Sequence, residues 1–286
     1  MKRLMVMPLM VLPLVAADRD DDRYWRYEEN ETINKTFKVA TGDNAAKLLV
    51  DNVNGYIHVT GTTGSEIVVK VDKQIRAESR GALSDAKKEV ELDMTQQGDT
   101  VKLYVDGPFR SHNGFNYRGD DYYGYRVIFD FEIQVPAGAQ LDLGTLNSAI
   151  EVKDSRGDFH VHTLNGRINM EEIGGSGSAK TLNGGMKITF ARNPVHESSF
   201  ETLNGSIDLY FQPNLDADLT IHTLHGGVYS DFDVTTVPTV VKGEVSGGGR
   251  YIYRTGGDMK VRAGKGGTGM SLHTLNGSIR LHSKAI

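Results

Sequence analysis

The chain has 286 residues, with 33 glycines, 7 prolines and no cysteine. That composition suits a β protein turned at glycines and excludes disulfide frameworks and cysteine-held metals. A formal charge of −5 argues against nucleic acid as a partner.

Residues 1–17 read as a secretory signal peptide. Lys2 and Arg3 precede an apolar run of 12 residues, Leu4 to Val15, and Val15-Ala16-Ala17 offers small residues for cleavage. The run is too short to span a bilayer, no cysteine follows it to take a lipid, and the C-terminus carries no apolar anchor. The expectation is an exported mature chain without a membrane-spanning segment, placed in the periplasm, at the cell surface or outside the cell. Cleavage leaves 30 basic against 37 acidic side chains. Residues 18–31 form a charged linker containing Trp25. Asp18, Asp20, Asp22 and Glu29 fit calcium-loop offsets, but Arg23 stands where that loop needs glycine.

From Thr32 the pattern turns to strands, over Ile33 to Val39, Lys47 to Val59 and Ile67 to Ile75. Residues 80–91 break it with apolar positions at helical spacing beside Ser84 and Asp85, which predicts a short helix. Strands follow at Leu92 to Thr95 and Thr100 to Val105, and Tyr125 to Val135 alternates most cleanly. The helix and hairpin near residues 80–105 are expected to cap the end of a repeat stack. Between the last two strands lies the long loop Asp106 to Gly124, which carries Phe109, Arg110, Phe115, Tyr117, Arg118, Tyr122 and Tyr123. Long loops are often functional or mobile. Aromatics beside charges can stack on sugars or anchor a protein, so these seven residues are the candidate ligand-binding set.

The remainder, residues 141–286, is organised by a repeat, with residues 32–140 as a continuous N-terminal β region. Thr163-Leu164-Asn165-Gly166 recurs at Thr181 to Gly184, Thr202 to Gly205 and Thr274 to Gly277. Looser copies occur at Thr145 to Ser148 and at Thr223 to Gly226, where His225 replaces asparagine; an early copy is Asn52-Val53-Asn54-Gly55. Before each motif the apolar residues keep one parity and after it the other, as Phe159, Val161 and Thr163 against Ile168 and Met170. Strand side chains alternate faces with period 2, so the motif reads as strand, corner, strand. Asn54, Gly55, Asn147, Asn165, Gly166, Asn183, Gly184, Asn204, Gly205, Asn276 and Gly277 are then structural corner residues.

Asparagine-glycine between apolar runs also suits a stack of hairpins. A fixed period with identical phase favours a single-stranded parallel β-solenoid, or β-helix, of about 18–21-residue rungs. On that expectation Leu164, Leu182, Leu203 and Leu224 stack as an interior column. Asn165, Asn183 and Asn204, about 4.8 Å apart, form an amide ladder. Residues Val237 to Val245 and Tyr251 to Val261 make an irregular rung, and the copy at Thr274 closes the coil.

Chemistry is sparse. His162, His222 and His273 hold the position before the threonine and face outward, in a column expected to run Gly144, His162, Lys180, Glu201, His222. His160 and His162 share a face without an evident third ligand. Lys187 and Asp208 are expected to pair across strands. Acidic residues are scattered over different rungs, and no nucleophile elbow, phosphate loop or zinc-protease helix is present. No catalytic residue, metal site or cofactor is therefore assigned.

The T-L-N-G copies, the early DNVNGYIHV, the lead-in VPAGAQLDL and the export signal together resemble the putative adhesin family of bacterial envelope proteins. That family of unknown function is similar to head domains of putative auto-transporter adhesins. The resemblance, over about Thr32 to the end, implies a β-solenoid, an extracytoplasmic location and no established catalytic residues. The expected function is a non-enzymatic adhesin or envelope scaffold that binds a surface glycan or an envelope protein. A carbohydrate-active enzyme on a β-helix and a regulatory envelope-stress partner are the alternatives.

Overall fold

The computed structural model describes residues 25–110, 123–237, 244–246, 250–252 and 258–284. Residues 1–17, expected to be a signal peptide, residues 18–24 of the expected linker, and Phe115, Tyr117, Arg118 and Tyr122 lie outside the described residues.

The described chain forms strands β1 (Tyr27–Lys38), β2 (Lys47–Asp51), β3 (Ile57–Thr62) and β4 (Glu66–Ala77), helix α1 (Arg80–Glu89), then β5 (Glu91–Gln97), β6 (Thr100–Asp106) and β7 (Tyr125–Pro136). The repeats supply β8 (Gln140–Thr145), β9 (Ile150–Lys153), β10 (Phe159–Asn165), β11 (Ile168–Ile173), β12 (Gly177–Asn183), β13 (Met186–Phe190), β14 (Ser198–Asn204), β15 (Ile207–Phe211), β16 (Ala217–His225) and β17 (Val228–Ser230). Then follow β18 (Val234–Thr236), β19 (Glu244–Ser246), β20 (Arg250–Ile252), β21 (Met259–Ala263), β22 (Thr268–Asn276) and β23 (Ile279–Ser283).

The fold is all-β with one helix, and its strands build two large mixed sheets. The first, of ten strands, runs β1-β4-β7-β3-β9-β11-β13-β15-β23-β17. The second, of eleven, runs β18-β21-β16-β22-β14-β12-β10-β8-β2-β6-β5. This overturns the expectation of a single parallel β-solenoid. β1, β4 and β7 pair antiparallel over their length, as do β5 with β6 and β21 with both β16 and β18. The physical reason is local: the corner motif fixes parallel pairing for the strands that flank it, β2 with β6 and β3 with β7 included, and constrains no other edge. The 12-residue strands β1, β4 and β7 carry no corner, and β4 pairs antiparallel with β1 on one edge and β7 on the other.

Within the repeats the pairing is parallel and in phase, with Thr145, Thr163 and Thr181 as register partners and Thr181 in turn beside Thr202. The order is not sequential, however. β22 lies between β14 and β16, and β23 between β15 and β17. Side chains from both sheets share one core; Phe190 stacks on Phe211 at 5.0 Å and meets Phe200 edge-on at 6.2 Å.

The predicted helix is present. Its N-cap is Ser79, whose Oγ accepts from the Ala82 N–H at 3.0 Å, rather than the later Ser84 or Asp85. Buried Ala86 and partly buried Ala82 and Leu83 turn it toward the core, against β1, β4 and β7. Edge strand β1 is rich in charge and mostly exposed, a composition that discourages pairing with another chain.

Candidate binding trough on the eleven-stranded sheet

The corner motif explains three of its four letters by contacts between neighbouring rungs. Each threonine is turned inward and donates its hydroxyl to a corner carbonyl one rung away. Thr163 reaches the Ser148 carbonyl at 3.0 Å, Thr181 that of Gly166 at 2.9 Å, Thr202 that of Gly184 at 2.8 Å and Thr274 that of Gly205 at 3.0 Å. The asparagines form the expected ladder, donating Nδ2 to the next Oδ1 at 2.7–3.1 Å from Asn276 through Asn204, Asn183, Asn165 and Asn147 to Asn54. His225 continues it, its Nδ1 lying 3.1 Å from the Asn276 Oδ1. An amide oxygen only accepts, so that ring nitrogen carries the proton.

The leucines correct the sequence reading. Leu164, Leu182 and Leu203 are 37–38% exposed and Leu224 is 60% exposed. They form an outer ridge, because the parity switch falls after the leucine and not before it. Buried Thr163, exposed Leu164 and exposed Asn165 show the step directly.

On the outer face of the eleven-stranded sheet, the residues three before each threonine fall into one row. Asp142, His160, Ser178, Ser199, Ser271 and Thr220 are consecutive register partners. The residues one before the threonine make a parallel row, Gly144, His162, Lys180, Glu201, His273 and His222. His273 therefore stands between Glu201 and His222, which the expected column lacked. Lys260 and Arg262 of β21 extend the face beyond Thr220 and Asp218.

Serines and glycines keep the middle of this face low, while His273, Lys260 and Arg262 border it. The result is a trough of about 780 Å³. Of the charges that line it, Arg262 and Asp218 pair at 2.7 Å, and Asp258 lies 3.4 Å from the His222 ring; farther along the same face Lys180 pairs with Glu201 at 3.0 Å. The lysine bond holds the Glu201 carboxyl below its ordinary range, and Arg262, then the Gly267 N–H, does the same for Asp218. Ser199 Oγ lies 3.3 Å from Glu201 Oε1, and Ser271 Oγ lies 3.2 Å from His273 Nε2.

Acid–base hydrolysis of a glycan needs a carboxyl held protonated beside the substrate. Among the described carboxyls with a resolved shift, the one pushed upward is Asp130, chiefly by burial and then by Asp72. It lies on the ten-stranded sheet and accepts from the Tyr56 N–H at 3.0 Å. The neighbouring Tyr56 hydroxyl is pushed up to about 12, by burial first and then by Asp130 and Glu132.

Of the residues singled out from the aromatic loop, the described ones, Phe109, Arg110 and Tyr123, do not line the trough. Arg110 grips Asp51 with two nitrogens, at 2.9 and 3.0 Å, beside the first corner, and its guanidinium lies 4.4 Å from the Tyr104 ring centre. Phe109 and Tyr123 are partly buried against the core. Lys187 and Asp208 are register partners, yet Asp208 pairs with Arg280 at 3.1 Å and Lys187 sits over Tyr210. Among the described residues no helix is long and apolar enough to cross a membrane.

No family model and no curated protein matches the chain. Solved structures do. A putative cell adhesion protein from Clostridium sporogenes aligns over 89% of this chain and 100% of its own, at 11% identity and a TM-score of 0.38. A putative adhesin from Bacteroides fragilis aligns over 88% and 97%, at 13% identity and a TM-score of 0.34. A putative lipid binding protein from Parabacteroides distasonis aligns over 88% and 95%, at 9% identity and a TM-score of 0.28.

Proposed function

We propose that the chain is a non-catalytic binding protein of the cell envelope that takes a neutral, polyhydroxylated ligand, a surface glycan, along the trough. The observation that carries this reading is the trough itself, a floor of serine and threonine hydroxyls beside the paired charges of Arg262 and Asp218. A polyanion would have to break that ion pair, whereas sugar hydroxyls can both donate to its carboxylate and accept from its guanidinium. Half-buried polar groups on a fixed sheet also bind with little ordering cost. The envelope location rests on the basic, apolar and small-residue succession of residues 1–17.

Screening against arrayed cell-surface glycans, followed by calorimetry on the glycans retained, tests the reading. Ser199→Trp fills the trough floor and is expected to abolish binding at an unchanged melting temperature. Binding that survives this substitution, or release of reducing ends from any bound glycan, overturns the proposal.

A further inference from the structure

The row of hydroxyls ends in three side chains of different character. Asp142 of β8 and His160 of β10 are register partners, and His162 follows two residues along the same face. One ligand atom from each of the three lies within 4.8 Å of the other two. We propose that Asp142, His160 and His162 bind a divalent transition-metal ion of the zinc class on the outer face of the eleven-stranded sheet.

The donor set selects the ion. Two imidazoles and one carboxylate suit zinc, nickel, copper(II) or cobalt(II); magnesium and calcium prefer all-oxygen shells. A zinc ion held at about 2.1 Å by three such ligands needs them roughly 3.4 Å apart. His160, the exposed member, supplies the movement that closes the set. Its Nδ1 lies 2.6 Å from the Ser178 hydroxyl, an outer contact that orients the ring and leaves Nε2 to meet the ion. The His162 ring is held from beneath by an absence: a Cβ on Gly144 would stand 2.5 Å from its Cε1 and Nε2. Only glycine at 144 lets that edge lie flat over the strand.

The charges around the triad set up a competition. Lys47 of β2 lies 3.6 Å from the Asp142 carboxylate, while Lys180 of β12 is the register partner of His162 on the far side. Both cations oppose a metal ion, and Lys47 does so at a ligand atom's own group. Removing that charge should therefore tighten binding, a result that a purely structural role for the triad would not produce.

Calorimetric titration of the full chain with Zn²⁺ in a non-chelating buffer, with Mg²⁺ as control, tests the proposal, and Co²⁺ absorption reports the geometry. His160→Ala and His162→Ala are each expected to weaken Zn²⁺ binding at least about tenfold. Lys47→Gln is expected to strengthen it, and His222→Ala to leave it unchanged. His160→Ala, at an exposed position, keeps the test valid should His162→Ala destabilise the fold. Zn²⁺ binding that is absent from the wild-type chain, or indifferent to both His160→Ala and Lys47→Gln, overturns the site. Glycan binding is read separately, so either proposal can fail without the other.

Discussion

The first corner holds an asparagine, Asn52, where the later copies hold threonine, and its burial sets it apart from the ladder asparagines. Asn52 is fully buried and uses its amide three times: Nδ2 donates to the Gly55 carbonyl at 3.0 Å and the Phe129 carbonyl at 2.8 Å, and Oδ1 accepts from the Val53 N–H at 2.8 Å. Asn183 is exposed and makes two ladder bonds, one donated to Asn165 and one accepted from Asn204. Losing a buried amide leaves two carbonyls and an N–H in a dry site, whereas water replaces the partners of an exposed one. Asn52→Ala is therefore expected to cost about 3 kcal/mol or more, and Asn183→Ala about 1 kcal/mol, as read from urea unfolding. Equal losses would place the ladder's stabilisation in chained polarisation of the amides rather than in burial.

At the scale of the corner, glycine is required for a reason the sequence reading did not reach. Glycine tolerates the positive φ that many turns need. Of the corner glycines only Gly55 lies there, at 111°. At Gly166, Gly184, Gly205 and Gly277 a Cβ would instead point at the corner carbonyl of the adjoining rung, closer than real side chains approach. That carbonyl is the one that accepts the threonine hydroxyl, so the glycine and the threonine serve a single close contact. Gly184→Ala is accordingly expected to cost about 3 kcal/mol, the upper end for forced overpacking. Ser148→Gly, at a corner whose neighbouring rung turns at the positive φ of Gly55, is expected to stay within about 1 kcal/mol of wild type. Thermal unfolding of both variants checks the pair. The phase of the repeats thus made the parallel pairing, the asparagine ladder and the inward threonines legible. The leucine ridge was misread because the switch of faces falls one residue later than the apolar pattern suggests. The hydroxyl row and the Asp142–His160 pairing were encoded all along, three residues before each threonine, but become a site only when the rungs are laid side by side.

The order of those rungs is the property of the whole molecule that the repeats do not encode. Thr202, Thr223 and Thr274 carry the same motif, and by local pairing alone β16 could sit directly on β14. Instead the last segment, β22 with β23, separates them, so that Thr274 faces Thr202 on one side and Thr223 on the other. What distinguishes the native order is length and company. β22 pairs with β16 from Ala217↔Thr268 to His225↔Asn276, and β16 is held on its other edge by antiparallel β21. Closing a loop of this span costs entropy that only the completed pairing repays, so the β16–β21 unit should depend on the C-terminal segment for its stability. A chain ended after residue 266 is expected to keep hydrogen-exchange protection in β8 to β15 and to lose it in β16, β17 and β21. Protection that persists in β16 would mean that the motif has closed the gap by pairing with β14. The same result would shorten the trough by the rung that supplies Ser271 and His273, so the identity of the inserted rung, and not the repeat itself, sets the face presented to a ligand.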